Sequence, residues 1–426
     1  MKKLLFLFIA FTLAAQAWAE KVEFGGIYYE LSSSEPYTAT VVRDDSYANL
    51  TSVNIQGVFT PVAGKTYTTT EIEAWTFGGC TNITSITIPN TVTKIGDYAF
   101  NGCTGLTSVV IPSSVKYLGM QAFITCTSLQ QVTVESSDIT IAESVFESCT
   151  SLTAVNFTNA NAKVALGGNV FAGCTNMGIN YTEEGGATYM EFLGNKYFQL
   201  YRVDSKDITT FEINNNCKSI GDYAFEYCEN LTHINIPNGV LLIGQHAFLG
   251  CSNLEQVACP STLETIAYEA FSHCSALSEI EIPSSVKKIE GYSFGYCDNL
   301  KQIVIPEGVE EIEDRAFCNS YGLEKITLPS TLTRVGYFGL VGTGIKEITM
   351  PSQFAGADVD DVFRYIYETV ETVICDAASK EACSWWREGF TKRLSNNHIL
   401  GSLFFMLQVL IWHHFQGFEG TTPNAR

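Results

Sequence analysis

The 426-residue chain is 46% apolar and can bury a large core, yet one compact domain of that size would be unusual, so repetition or division is expected. Its 45 Asp and Glu against 25 Lys and Arg leave a net charge of −20. A phosphate backbone would be repelled, which excludes nucleic acid as a natural partner.

The chain opens with MKKLLFLFIAFTLAAQAWAEK. Lys2 and Lys3 form a basic start, Leu4 to Ala15 an apolar stretch, and Ala17-Trp18-Ala19 fits the small-x-small pattern cut by signal peptidase before Glu20. Residues 1–19 therefore read as a secretory signal peptide of bacterial type, and loss of its two lysines takes the charge from −20 to −22. The cysteines must then be judged in an oxidising compartment. Residues 20–49 carry GGIYYEL and YTATVVRDD joined by SSSEP, two β-rich stretches expected to form a hairpin cap on the first repeat.

From residue 50 a phrase repeats. Phe-x-x-Cys occurs at Phe77/Cys80, Phe100/Cys103, Phe123/Cys126, Phe146/Cys149, Phe171/Cys174, Phe225/Cys228, Phe248/Cys251, Phe271/Cys274 and Phe294/Cys297, stepping by 23 residues almost throughout. Such a period means a solenoid, whose units bury their apolar faces only by stacking. Between phrases runs L-x-x-[IV]-x-I, as in LTSVVIPSSV (106–115) and LKQIVIPEGV (300–309). Its alternation predicts a short strand with one face inward, stopped by a proline that cannot donate to a ladder. In xxIGxxAF, the Ile, Ala and Phe are expected to turn inward around one helical or 3₁₀ turn. About a dozen parallel strands over residues 50–351 would build one long sheet, roughly 55 to 60 Å along the stack. The fold class is thus an α/β solenoid dominated by β.

The combination of L-x-x-[IV]-x-I-P, I-G-x-x-A-F and the closing Cys resembles the BspA-like leucine-rich repeat family. The resemblance implies a secreted or surface-bound recognition protein, linked with adhesion to host matrix proteins and to other cells.

Nine of the 14 cysteines hold one position in successive units and should form an inward ladder. Parallel in-register side chains stay about an inter-strand spacing apart, further than the roughly 3.5 to 4.5 Å a disulfide wants between Cβ atoms. Free buried thiols are the expected state, with Cys217 and Cys259 joining them at positions where other units have Val or Ile. Cys318, Cys375 and Cys383 lie off the ladder, and a bridge between the last two stays open. No C-x-x-C exists to hold zinc, and no metal or cofactor is expected.

The 54-residue gap from Cys174 to Cys228 holds eight residues beyond two periods. These sit near TYMEFLGNKYFQLYRV (188–203), expected as a hairpin around Gly194-Asn195 pushed out of the stack, a contact site or a tolerated decoration. Beyond residue 351 the pattern fades into a C-terminal cap region (352–398), where Trp385-Trp386 could cover the last repeat, and an apolar atypical tail (399–426). That tail stays apolar for about 14 residues, short of the ~20 of a membrane span. Asp358 to Asp361 lacks the ligand spacing of a calcium loop, and His413-His414 is too little for a metal site.

No nucleophile elbow, zinc-protease, phosphate-loop or dinucleotide motif is present, so no enzyme is expected. The residues flanking the middle apolar position of each long strand point to the open face. Gln131, Thr133, His233, Asn235, Gln256, Glu279, Glu281, Gln302, Lys325 and Thr327 are the candidate binding set, a run expected to be unbroken. They vary while the inward set is monotonous, which fits a secreted or cell-surface protein (periplasm being the other location) that binds a protein or cell-surface ligand. A structural spacer without a specific ligand fits the same contrast.

Overall fold

Stacking decides every element of this chain, because a 23-residue unit has too few apolar side chains to close a core alone. The computed structural model describes residues 20–159, 161–351 and 370–375. The signal peptide, Asp358 to Asp361, Cys383, Trp385-Trp386, His413-His414 and the tail lie outside the described residues, as does most of 352–398. The architecture is a β-solenoid of about twelve turns with a 23-residue period. Among the described residues the one helical element is a 3₁₀ turn, Asp45–Asn49, and no helix is long and apolar enough to cross a membrane.

The long strands form where the alternating pattern lies. Ser108–Ile111, Gln131–Val134 and Ala154–Phe157 pair in parallel, with Gln131 opposite both Ser108 and Ala154. Val109, Val132, Ile111 and Val134 enter the core. The single long sheet expected from the sequence is replaced by four separate ladders of long strands. Two longer sheets, of nine strands each, run along the other side. They include strands as short as two residues, such as Lys94–Ile95 and Tyr117–Leu118, which end at the apolar residue before the glycine.

Nor is the I-G-x-x-A-F return helical. Alternate N–H groups bond within the turn and across to the next repeat. Ala99 donates to Gly96 (3.3 Å) and Asn101 to Tyr98 (3.0 Å), while Tyr98 donates to Met120 (2.9 Å) and Phe100 to Ala122 (2.7 Å). The N–H groups that the turn itself leaves unpaired are thus satisfied by the neighbouring unit. Ile95, Ala99 and Phe100 are fully buried, as expected.

Two antiparallel units interrupt the parallel order, and they are alike. At the start, Glu20–Phe24 pairs with Ile27–Leu31 around Gly25-Gly26, and Ile27–Leu31 pairs in turn with Thr38–Val41, which runs parallel into the solenoid. In mid-chain, Tyr181–Glu184 pairs with Ala187–Phe192 around Gly185-Gly186, and Ala187–Phe192 pairs in turn with Asn195–Val203, which runs parallel to Ser219–Ile220. Both glycine pairs hold positive φ (65° and 80°; 64° and 80°), the left-handed geometry of a tight hairpin turn.

The hairpin at 188–203 is therefore present but not pushed out of the stack. Met190, Phe192 and Phe198 close the core of the preceding repeats, while Tyr189, Leu200 and Val203 open the core of the following ones. It is a partition between two stacks. Their short-strand sheets then face each other. Gln199 Nε2 donates to the carbonyls of Leu166 (2.7 Å) and Gly167 (2.8 Å), Ser219 Oγ donates to Leu166 (2.7 Å), and Lys163 pairs with Glu264. The chain is thus two stacks side by side, not one rod of 55 to 60 Å.

Candidate functional site

Each long strand is only two to four residues, and its outward side chains sit where the sequence places them. Gln131, His233, Asn235, Gln256, Glu279, Glu281, Gln302 and Lys325 are exposed; Thr133 and Thr327 are half-buried. They do not form one unbroken surface. Gln131 and Thr133 belong to the first stack, and the partition separates them from the other eight on the second. Within the second stack His233 stands opposite Gln256, Gln256 opposite Glu279, and Gln302 opposite Lys325. Lys325 Nζ is held by Glu347 Oε1 at 2.6 Å, so the free charge of this face is negative at Glu279 and Glu281.

The thiols behind this face have a job that spacing does not reveal. Cys103, Cys126, Cys149, Cys174, Cys251, Cys274 and Cys297 each point Sγ at the carbonyl of the phenylalanine one repeat earlier, at 2.9–3.3 Å. The twelve cysteines from Cys80 to Cys318 are free; eleven are buried and Cys259 is half-buried. Burial pushes Cys103, Cys174 and Cys251 up to about 12. In the next repeat Ser320 takes the ladder position and its Oγ donates to the Phe294 carbonyl at 2.6 Å. Cys318 is buried beside it, also pushed to about 12 by burial. The phenylalanines themselves stack, with ring centroids 4.8 Å apart for Phe225 and Phe248 and 5.2 Å for Phe248 and Phe271. The ladder is a seam.

The cleft between the stacks holds about 300 Å³ and is lined by Asp97, Tyr117, Met120 and Glu143 on one side. Asp222, Tyr268, Lys288, Glu290 and Glu313 face them from the other. Several acids have a structural duty: Asp97 accepts from the Met120 N–H and Asp222 from the Gln245 N–H, each at 2.8 Å, clasping successive repeats. Burial pushes Asp222 up to about 7, with Glu143 adding repulsion; burial likewise raises Glu290 to about 7 against the opposing pull of Lys288. Among the described residues, no set of three His, Cys, Asp or Glu side chains could hold a metal.

Sequence reasoning missed the turn edge. One residue before each ladder cysteine lies at positive φ. In the first stack this is Gly79, Gly102, Thr125, Ser148 and Gly173. In the second it includes Tyr227, His273 and Tyr296, at φ 53°, 60° and 59°. The residue two before each stacked Phe behaves alike in both stacks, with Trp75 and Tyr98 at φ 61° and 57° in the first and Tyr223, His246 and Tyr292 at φ 53–58° in the second. The signal was legible in FEYC, FSHC and FGYC beside FGGC, FNGC and FAGC.

Residues 46–178, 194–324 and 287–372 match the BspA type leucine rich repeat region, in six copies. The chain belongs to the BspA-type leucine-rich repeat family. Among solved structures, this BspA-type chain is similar to a leucine-rich repeat protein of Bacteroides ovatus (23% identity, 83% of this chain and 99% of that one, TM-score 0.36). It is also similar to a leucine-rich cell surface protein of Faecalibacterium prausnitzii (22%, 86% and 97%, 0.31) and to the pneumococcal vaccine antigen PcpA (18%, 84% and 99%, 0.31). No curated protein matches it.

Proposed function

We propose that this BspA-type protein is exported and acts at the cell surface or outside the cell as an adhesin, recognising a host matrix protein or another cell. The observation that carries this is the contrast between an invariant buried lattice and the varied, exposed side chains it presents on the long strands of the second stack, from His233 to Thr327. The secretion-type leader and the adhesive role implied by the family resemblance support the same reading. Fold alone supplies no ligand. Glu279 and Glu281 favour a basic patch on the partner, an attraction that weakens as salt rises.

The test is retention of matrix proteins or whole cells on the immobilised protein lacking residues 1–19, beside a variant carrying Gln256→Ala, Glu279→Lys and Glu281→Lys. Loss of retention by a folded variant is the expected result. Silence of the unaltered protein across matrix proteins and cells would make it a spacer of the cell surface.

A further inference from the structure

The aromatic residues of the turn edge sit where an aromatic should not be. For an L-residue other than glycine the left-handed region costs roughly 1–2 kcal/mol, and a bulky side chain there is uncommon. The first stack accommodates the position before its ladder cysteines with Gly, Thr or Ser, so the backbone needs no ring there. The second stack keeps glycine at Gly250 but places Tyr227, His273 and Tyr296 on the same backbone turn, with Tyr321, which is not left-handed, following Ser320. Tyr227 is 54% exposed, so core packing does not explain its strained backbone, and Tyr321 stands 65% exposed beyond it. Strain kept without a packing need is a mark of function.

Chemistry around the rings says what they would hold. His273 and Tyr296 stack at 4.3 Å and 7°, forming a flat step. Along the same edge Arg315 lies over the rings of Tyr292 (5.7 Å) and Phe338 (5.3 Å). A guanidinium is therefore already seated between aromatic rings on this surface. Glu229 and Asp298, each two residues beyond a turn-edge tyrosine, are exposed carboxylates on a chain of net charge −20. Aromatic faces with neighbouring carboxylates attract cations, and arginine most of all, since its planar and weakly hydrated head stacks where an ammonium does not.

We propose that the outer turn edge of the second stack is a docking surface for a cationic polypeptide segment, whose arginine side chains lie against Tyr227, Tyr296 and Tyr321 between the flanking carboxylates. This site is separate from the long-strand face and does not depend on it. The shared backbone of the two stacks supplies its own control, because glycine restores at Tyr227 and Tyr296 what the first stack uses at Gly79 and Gly102.

The experiment measures binding of fluorescent nona-arginine and nona-lysine peptides to the full chain at fixed ionic strength. A variant with Tyr227→Gly, Tyr296→Gly and Tyr321→Ser, of unchanged net charge, is compared. Expected are a preference of at least about threefold for the arginine peptide and a loss of that peptide's affinity of about tenfold or more in the variant. Equal binding by the variant, or no arginine preference, would reduce the effect to net charge and overturn the proposal. Loss of binding to neutral glycans, with arginine binding intact, would assign the edge to sugars and overturn it too. Should the triple variant fail to fold, Tyr321→Ser alone, at a largely solvent-exposed side chain, should weaken nona-arginine about threefold, and no change would count against the site.

Discussion

The first and second stacks share a core but not an edge. Phe77, Phe100, Phe123 and Phe146 in one, and Phe225, Phe248, Phe271 and Phe294 in the other, are fully buried and stacked in the same way. Thiols bond to carbonyls in both. Yet the turn before the cysteine carries Gly, Thr and Ser in one and Tyr and His among its residues in the other. The difference teaches where this solenoid is free to change. A side chain facing the stack is constrained by the unit before and after it, whereas a turn residue answers only to backbone conformation and solvent.

The comparison breaks most visibly at the phenylalanines. Phe100→Ala in the first stack and Phe248→Ala in the second should each destabilise by about 3–5 kcal/mol in denaturant melts. A loss under about 1.5 kcal/mol in either would mean that the stacks do not share one packing scheme. Next comes the seam. Cys274→Ala removes one of the two donors to the Phe248 carbonyl, which keeps the Cys251 N–H at 3.2 Å, and should cost about 0.5–1.5 kcal/mol, whereas Cys274→Ser, the arrangement Ser320 already uses, should cost less. A serine variant as damaged as the alanine one would remove the hydrogen bond from the account.

The boundary between stacks should respond to pH. Asp222 binds its proton more tightly folded, near pH 7, than unfolded, near the ordinary carboxylate value of roughly 3.9. Its contribution is therefore fully present below about pH 4 and is lost as pH rises through 7. Asp222→Asn keeps the oxygen that accepts from Gln245 and should stabilise by about 1–3 kcal/mol at pH 8, with no gain at pH 3.5. A pH-independent difference would rule out the charge as the cause. The smallest effect belongs to the edge: Tyr296→Gly exchanges left-handed strain for a lost ring stack and should shift stability by less than about 1 kcal/mol. A core-sized loss would place that ring inside the packing.

The 23-residue period, the long strands and the buried cysteines were legible because stacking imposes them on every unit, so that a letter recurs wherever a contact recurs. The short-strand sheet was not, since a two-residue strand such as Lys94–Ile95 has no alternation to show. The partition was half legible. Alternation in 188–203 predicts a hairpin, but it cannot tell one face in solvent from two faces in two cores, and Met190 and Tyr189 enter different ones. The candidate face was readable residue by residue; its division was not, because that division comes from the partition. The sign of φ at Tyr227 is set by the turn and left no trace in the letter itself, only in the glycines that replace it elsewhere.

The seam of thiols has a consequence for timing. A thiol raised to about 12 carries almost no thiolate at neutral pH, so a finished repeat cannot enter disulfide exchange. An unfolded chain carries the same groups near roughly 8.5, reactive and close together in number. For a chain delivered into an oxidising compartment, assembly is then a race between docking and oxidation. Each unit leaves the race when its neighbour covers it. The exposed growing end of the ladder is a vulnerable stretch, and a mutation that slows stacking would show first as mis-bridged, insoluble protein, at a temperature where the mature fold is still stable.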